Sequence, residues 1–287
     1  MLVNMRDILK YAEENNCAIG CINTPNLETL RAVVGAAEEL NTPIIIDHAE
    51  VHDSLIPIEY IGPYMIEFAK KAKVPVCVHL DHGASYSFVM RAIRMGFTSI
   101  MYDCSALPFE ENLKNVKEFV KIAHELDITV EAELGTMLST AADSHGAFVE
   151  VEDPSIYYTD PELAARFAKE SNVDALAVCF GTMHGIYSAK PILDLERLKA
   201  IKEKVGDTCY LVMHGGSGVD KEQTQAAINV GVRKINYYSY MATAVAPKLV
   251  EEINKSKSPV YYHDLTEFAY RFMKGFAKDV ITVFNNK

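Results

Sequence analysis

The stretch VPVCVHLDHG, residues 74–83, decides the fold, because an apolar run of strand length stops abruptly at a cluster of polar side chains. The run at 74–80 is apolar apart from His79 and does not alternate between apolar and polar residues. Strands of a parallel sheet that helices cover on both faces are expected to be apolar in this uninterrupted way. Seven similar runs occur along the chain, each followed by a helical pattern.

The alternation of strands and helices extends through the whole sequence. The predicted strands are 17–22, 42–47, 74–80, 98–103, 128–134, 174–180, 209–214 and 232–236. The predicted helices are 26–40, 57–73, 85–95, 109–125, 160–172, 194–205, 220–230, 240–254 and a closing helix at 264–284, and the predicted helix caps are Asn26, Asp160, Asp194 and Asp220. Eight strand and helix pairs predict a single closed (β/α)8 TIM barrel of the α/β class over residues 1–287, with an open doubly wound sheet as the alternative. The long segment 135–160 is predicted to be an active-site loop.

The composition favours small-molecule chemistry over nucleic-acid or membrane binding. Lysine and arginine total 28 against 39 acidic residues, a net charge of −11, which disfavours a surface that follows phosphate backbones or anionic lipids. No apolar run reaches the length of about 18 residues that a membrane span needs, and the first residues form an amphipathic helical pattern, so we expect a cytoplasmic protein. The six cysteines include no CxxC pair and are expected to be buried, reduced thiols.

Polar side chains gather at the predicted carboxyl ends of the strands, where barrels place their chemistry. His82 ends the third strand, and His184 and His214 end the sixth and seventh. Three imidazoles with an open fourth position suit a catalytic Zn²⁺ ion. We assign Asp81 to proton transfer, with the orienting of a metal-bound imidazole as the alternative, and His79 to a structural role.

The seventh strand is followed by a glycine-rich turn, HGGSG at 214–218, and then by a helix that begins near Asp220. Backbone N–H groups freed by glycines bind anions, and the loops after the last two strands of a barrel commonly hold phosphate. Asn236 and Ser239 add side-chain donors nearby. The turn therefore predicts a phosphate site beside the metal ligand His214.

The sequence resembles the class II, metal-dependent ketose-bisphosphate aldolases, the fructose and tagatose bisphosphate type, from about residue 3 to residue 284. Six motifs occur in the family's order: HLDHG (79–83), LPFEENL (107–113), EAELG (131–135), GTMHGIY (181–187), HGGSGV (214–219) and KIN (234–236). The resemblance implies a lyase of carbohydrate metabolism such as glycolysis. Its reaction would be reversible cleavage of a ketose phosphate to dihydroxyacetone phosphate and an aldehyde.

The resemblance also implies the parts of the site. The matching positions are the zinc ligands His82, His184 and His214, the nearby carboxylates Glu133 and Asp103, the acid/base Asp81 at the C4 hydroxyl, and the phosphate-binding Gly185, Gly215, Ser217, Asn236 and Ser239. The family implies one zinc ion, a monovalent cation (Na⁺ or K⁺), a sugar phosphate ligand and a homodimer or homotetramer. The terminal-helix stripe of Tyr270, Phe272, Met273 and Phe276 fits either a subunit contact or packing within the chain.

The second strand departs from the family, which usually ends it with a small hydroxyl residue near a phosphate. Ala49 stands there, beside Asp47 and a cluster formed by His48, Glu50 and His52. We expect this cluster to contact a substrate hydroxyl, to bind a second metal, or to be a hydrated rim. Acidic neighbours disfavour a dianion, so one phosphate site is expected to be altered or absent.

Two further departures leave the proton exchange at C3 unassigned. The segment after EAELG lacks the family's glycine pair, and Asp143 and His145 are both candidates for the exchanging group. Tyr238 replaces a usual aspartate or alanine. The alternatives to an aldolase are a metal-dependent isomerase or hydrolase on the same rim, and a catalytically altered barrel that acts as a partner subunit.

Overall fold

The structure is a computed structural model that describes residues 1–137 and 154–286. In this part of the chain the strands are β1 Leu2–Val3, β2 Ile19–Asn23, β3 Ile44–Ala49, β4 Val76–Gly83, β5 Ser99–Tyr102, β6 Thr129–Leu134, β7 Ala175–Val178, β8 Tyr210–Met213 and β9 Val232–Tyr237. The helices are α1 Met5–Glu14, α2 Leu27–Leu40, α3 Ile58–Lys71, α4 Tyr86–Met95, α5 Phe109–Glu125, α6 Pro161–Ser171, α7 Leu195–Val205, α8 Lys221–Val230, α9 Ser239–Lys255 and α10 Tyr262–Phe284. Two short 3₁₀ segments are η1 Glu50–Ser54 and η2 Pro154–Tyr157.

The strands β2 to β9 close into a parallel barrel. Each pairs in parallel with the next one along the chain, β4 pairs with β5, and β9 returns to β2 with Ile19 opposite Lys234 and Cys21 opposite Asn236. Closure confirms the (β/α)8 prediction and excludes the open sheet, because an open sheet would leave two strands unpaired at its edges. The predicted strands all overlap the observed ones, whereas the short β1, which pairs with the start of β4, was not predicted.

The helix boundaries follow from capping side chains. Asn26, Asp160, Asp194 and Asp220 each accept a hydrogen bond from a backbone N–H in the first turn of the helix that follows. These contacts satisfy N–H groups that otherwise lack a partner within the helix, so the four predicted caps are confirmed.

The two ends of the barrel differ. At the amino-terminal end, α1 packs Met5, Ile8 and Leu9 onto apolar side chains near the strand starts, such as Ile19 and Cys77. This layer closes that end, so the open end of the barrel is the one where the strands finish. All six cysteines fall within the described residues, are buried, and form no disulfide.

The terminal helix α10 packs along α2 and against the barrel. Met273 is buried, while Tyr270, Phe272 and Phe276 are partly buried against the same core. Packing within the chain therefore covers part of the apolar stripe of this helix, and a subunit contact through the rest of it stays a prediction. Among the described residues, no helix combines the length and the apolar character that crossing a bilayer would require.

Candidate active site

Three histidines meet at the carboxyl end of the barrel. His82 belongs to the end of β4, His184 to the loop after β7, and His214 follows β8 directly. One nitrogen of each lies within 4.8 Å of the others, and the ring of His82 is centred 4.9 Å from those of both His184 and His214. The structure thus brings together the three imidazoles that the sequence assigned to a metal.

Two of these rings are each bonded by a carboxylate at one ring nitrogen. Asp103 Oδ2 lies 2.7 Å from His82 Nδ1, and Glu131 Oε1 lies 2.8 Å from His214 Nε2. A carboxylate bound to one nitrogen of an imidazole fixes the ring and leaves the other nitrogen for a metal. The nitrogens left are Nε2 of His82 and Nδ1 of His214, which lies 3.2 Å from Glu133 Oε2 without forming a hydrogen bond to it. This donor set fits a divalent metal ion.

A backbone irregularity lets consecutive residues of β4 face the same cavity. His82 has a φ of 46°, in the left-handed region, and the pairing of β4 with β5 shifts register between Leu80 and Gly83. Successive residues of a regular strand point to opposite faces, whereas such a shift turns Asp81 and His82 toward one side. Gly83 permits the close approach, since a Cβ there would lie 2.9 Å from the Met101 carbonyl oxygen.

Asp81 is a buried carboxylate that its surroundings keep ionised. Burial favours the neutral acid, but the nearby His82, His214 and Lys234 outweigh it and hold the pKa of Asp81 below its usual range. Asn236 Nδ2 donates to Asp81 Oδ1 over 3.0 Å. The carboxylate that bonds the orienting nitrogen Nδ1 of His82 is Asp103, whereas Asp81 Oδ1 lies 3.9 Å from Nε2 of the same ring.

The polar network continues beneath the cavity floor. Lys234 is fully buried, and its Nζ lies 2.9 Å from Glu131 Oε2 and 2.6 Å from Asn236 Oδ1. Although burial raises the pKa of Glu131, Lys234 and His214 bring it down to about 2. One chain of contacts therefore links the metal-side His214, through Glu131, Lys234 and Asn236, to Asp81.

Two of the three histidines, His82 and His184, line a cavity of about 290 Å³, as does Gly215, the neighbour of the fully buried His214. The cavity lining includes Gly185, Gly215, Ser217, Asn236 and Ser239, so all five predicted phosphate-side residues border the same cavity. The loops after β7 and β8, which contribute part of this lining, contact each other through the hydroxyl of Tyr187 and approach closely at Gly215. The Tyr187 hydroxyl accepts from Met183 N and donates to the Gly215 carbonyl, each over 2.8 Å. Gly215 has a φ of 64°, and a Cβ there would collide with the backbone of Met183.

The three residues of the cluster at the end of β3, His48, Glu50 and His52, have different surroundings. His48 is fully buried and stacks on Phe88 of α4, outside the barrel wall. Glu50 accepts hydrogen bonds from Ala84 N, at 2.8 Å, and from Ser85, so it anchors the start of α4. His52 alone of the three lines the cavity. The predicted candidates Asp143 and His145 lie outside the described residues.

The cluster does not form a metal site. Among residues 1–137 and 154–286, the histidines His82, His184 and His214 are the group with the spacing to hold an ion. The second-metal interpretation of His48, Glu50 and His52 is therefore unsupported.

Comparison with known proteins identifies the family. The model of class II fructose-bisphosphate aldolases matches residues 3–287. The chain belongs to this family. The YdjI aldolase from Escherichia coli is 33% identical with a TM-score of 0.86, over 99% of this chain and 97% of that one. A candidate fructose-1,6-bisphosphate aldolase from Coccidioides immitis is 28% identical with a TM-score of 0.84, over 98% and 95% of the two chains.

As a class II aldolase, the protein is an aldehyde-lyase. Sequence reasoning left two buried residues of the aldolase unassigned, Glu131 and Lys234. Each stands two positions before an assigned residue of its own strand, Glu133 and Asn236 respectively. Because alternate residues of a strand share a face, this spacing is the signal from which both were predictable.

Proposed function

We propose that the aldolase is zinc-dependent and cleaves the C3–C4 bond of a ketose phosphorylated on C1, releasing dihydroxyacetone phosphate and an aldehyde. Fructose and tagatose 1,6-bisphosphates share this C1-phosphate end. The observation that carries the proposal is the group of three imidazoles, two of them backed by carboxylates, beside a cavity that the ionised Asp81 lines together with His82 and His184. The monovalent cation, the homodimer or homotetramer and the cytoplasmic location stay predictions.

His82, His184 and His214 would hold the zinc ion. When bound there, zinc would supply a positive charge beside the substrate carbonyl, which stabilises the negative charge left when the carbon–carbon bond breaks. Such a charge also suits the site electrostatically. Despite burial, Asp81 and Asp103 raise the pKa of His82 to about 10, so these carboxylates favour a cation at this ring.

Asp81 would take the proton of the C4 hydroxyl during cleavage and return it during condensation. Its ionised state and the hydrogen bond from Asn236 prepare it for this role. At the other end of the substrate, the wall of Gly185, Gly215 and Ser217 would bind the C1 phosphate. The Ser217 hydroxyl accepts from Tyr238 N over 3.0 Å, which leaves its hydrogen to donate to the phosphate.

The test separates metal, proton transfer and the C3 step. Metal removal by a chelator should abolish cleavage, zinc should restore it, and borohydride with substrate should trap no adduct. Asp81→Asn should lower cleavage by about 10²- to 10⁴-fold while dihydroxyacetone phosphate still exchanges its C3 proton with deuterated solvent.

The matched control is Asp53→Asn, which removes a carboxylate that pairs with Arg91 and is absent from the cavity lining. Its cleavage rate should stay near that of the parent protein. Full cleavage activity after complete metal removal contradicts the proposal, and so does an unchanged cleavage rate in Asp81→Asn.

A further inference from the structure

We propose that the preferred substrate is a ketose with a phosphate on C1 alone, and that the aldehyde it releases is an uncharged polyhydroxy aldehyde. This inference rests on the proposed function and concerns the part of the substrate beyond C4. The two ends of the cavity offer very different partners to an anion, and the far end lacks positive charge.

The segments at the rim of the barrel carry far more acidic than basic residues. The eight segments that join barrel strands to the following helices contain ten acidic residues and one basic residue, Lys190. The count includes all of 135–160, whose sequence contains no lysine or arginine. Lys190 Nζ lies 2.9 Å from Asp220 Oδ2, in the loops on the side of the C1 phosphate. The rim loops of a single chain therefore supply no cation for a second phosphate.

The cavity wall beyond Asp81 combines an imidazole, an aliphatic side chain and an amide. Asp81 lies near the end of β4, and the neighbouring strand β3 leads into η1. The cavity is lined there by His52, Leu55 and, from β2, Asn23. No lysine or arginine is among the described residues that line the cavity. Asn23 Nδ2 donates to the buried Asp47 over 2.5 Å, which engages this amide, while burial and the nearby Asp81 raise the pKa of Asp47 well above its usual range. Such a surface suits sugar hydroxyls rather than a phosphate dianion.

Two nearby cations are engaged elsewhere. Arg91 on α4 bonds Glu59 through Nε at 2.7 Å and Nη2 at 2.6 Å, bonds Asp53 at 3.2 Å, and lies over the Phe88 ring. Lys234 is buried between Glu131 and Asn236. A distal phosphate would have to displace buried or bidentate carboxylate partners to reach either cation, which makes both unsuitable.

The experiment compares substrates that differ only in the distal phosphate. In condensation, the zinc-loaded aldolase is supplied with dihydroxyacetone phosphate and either glyceraldehyde or glyceraldehyde 3-phosphate, in both enantiomers. The pH is 8, where an ordinary imidazole with a pKa of about 6.5 is neutral. We expect kcat/KM to favour the uncharged aldehyde by at least about tenfold. Equal values, or a preference for the phosphorylated aldehyde, overturn the inference, and the latter would point to a cation from a second copy of the chain.

Exchange of the C3 proton of dihydroxyacetone phosphate tests the proposed function separately, because no aldehyde is needed. Absence of exchange would defeat the proposed function itself. Exchange without condensation on any uncharged aldehyde would defeat the inference alone.

A substitution at the far wall sharpens the test. Leu55 is 72% exposed at the cavity edge, and Leu55→Arg should raise kcat/KM for glyceraldehyde 3-phosphate by about tenfold, with a gain that added salt reduces. The neutral control Leu55→Gln should show no such gain. A gain of the same size in both variants would contradict the electrostatic reason.

Discussion

Two parts of the same rim carry similar side chains and use them differently. The metal rim, formed by His82, His184 and His214, holds imidazoles with carboxylates close by. The second-strand rim, residues 47–53, also combines imidazoles with carboxylates, within seven positions of sequence. The structure gathers the imidazoles of the first into a group with the spacing to hold a metal ion, whereas most of the second makes structural contacts.

The difference lies in what the carboxylates contact. On the metal rim, Asp103 and Glu131 each bind a ring nitrogen and turn the other nitrogen of that ring away. On the second-strand rim, Glu50 accepts from the start of α4, and Asp53 accepts from Ile58 N at 2.8 Å. Neither nitrogen of His48 has a hydrogen-bond partner among the described residues. Proximity of imidazoles and carboxylates is therefore not sufficient for a metal site. The carboxylates must also bond the imidazoles and orient them.

The largest expected effect follows from removing an imidazole of the metal rim. His184→Ala should abolish stoichiometric metal binding and lower cleavage activity by at least about 10³-fold, because the metal contributes several kcal/mol to transition-state stabilisation. Metal content by elemental analysis and initial rates measure both effects. His48→Met is the comparison variant and should still bind one metal ion per chain. Loss of the metal in His48→Met would contradict the assignment of metal binding to the metal rim alone.

A smaller effect is expected from a carboxylate that orients a ligand. Asp103→Asn keeps the shape of the side chain but weakens its hold on His82, so metal affinity should fall by about 10- to 100-fold. Competition with a chelator measures the affinity. Asp53→Asn, the carboxylate of the other rim, should leave that affinity unchanged. Equal affinities in the parent protein and Asp103→Asn would show that the 2.7 Å contact does not support the metal.

The buried His48 predicts an acid-sensitive stability. Burial lowers the pKa of His48 to about 4, with His52 as a further cause. Below pH 6.5 the unfolded chain binds a proton at this ring, whereas the folded chain binds it only near pH 4. The stability of the fold therefore falls as the pH drops through this window. The loss from this group should reach about 2 kcal/mol at pH 5.

Urea unfolding of His48→Met at pH 7.5 and pH 5 measures that loss, because methionine cannot bind the proton. The variant should gain stability relative to the parent as the pH falls. His263→Gln, which removes an exposed histidine, is the control and should show no such gain. Parallel pH dependence in the parent and His48→Met would place the acid sensitivity in other groups.

The sequence predicted those features that local pattern controls. Apolar strands and capping residues such as Asn26 determine the barrel, and the polar residues after the strands mark its active end. The failure at His48 has a physical reason: alternate residues of β3 face opposite sides, so Asp47 points into the barrel while its neighbour points toward α4. The left-handed backbone at His82 breaks the same rule, and only tertiary contacts determine it.

The smallest expected effect concerns Glu50, a residue that sequence reasoning placed among the candidate site residues. Its carboxylate accepts from Ala84 N, Ser85 N and Ser85 Oγ, at 2.7 to 3.1 Å, so it serves the first turn of α4. Glu50→Gln should therefore cost about 1 kcal/mol of stability, the usual scale for losing a helix-start contact, while kcat/KM stays near the parent value.

Urea unfolding and steady-state rates decide between the two roles of Glu50. Ser85→Ala removes the partner hydroxyl and is the matched variant; because both substitutions act on the same contact, the double variant should lose less stability than the sum of the single losses. A tenfold fall in kcat/KM without loss of stability would show that Glu50 acts on the substrate and not on the start of α4. The second-strand rim would then belong to the site in the same sense as the metal rim.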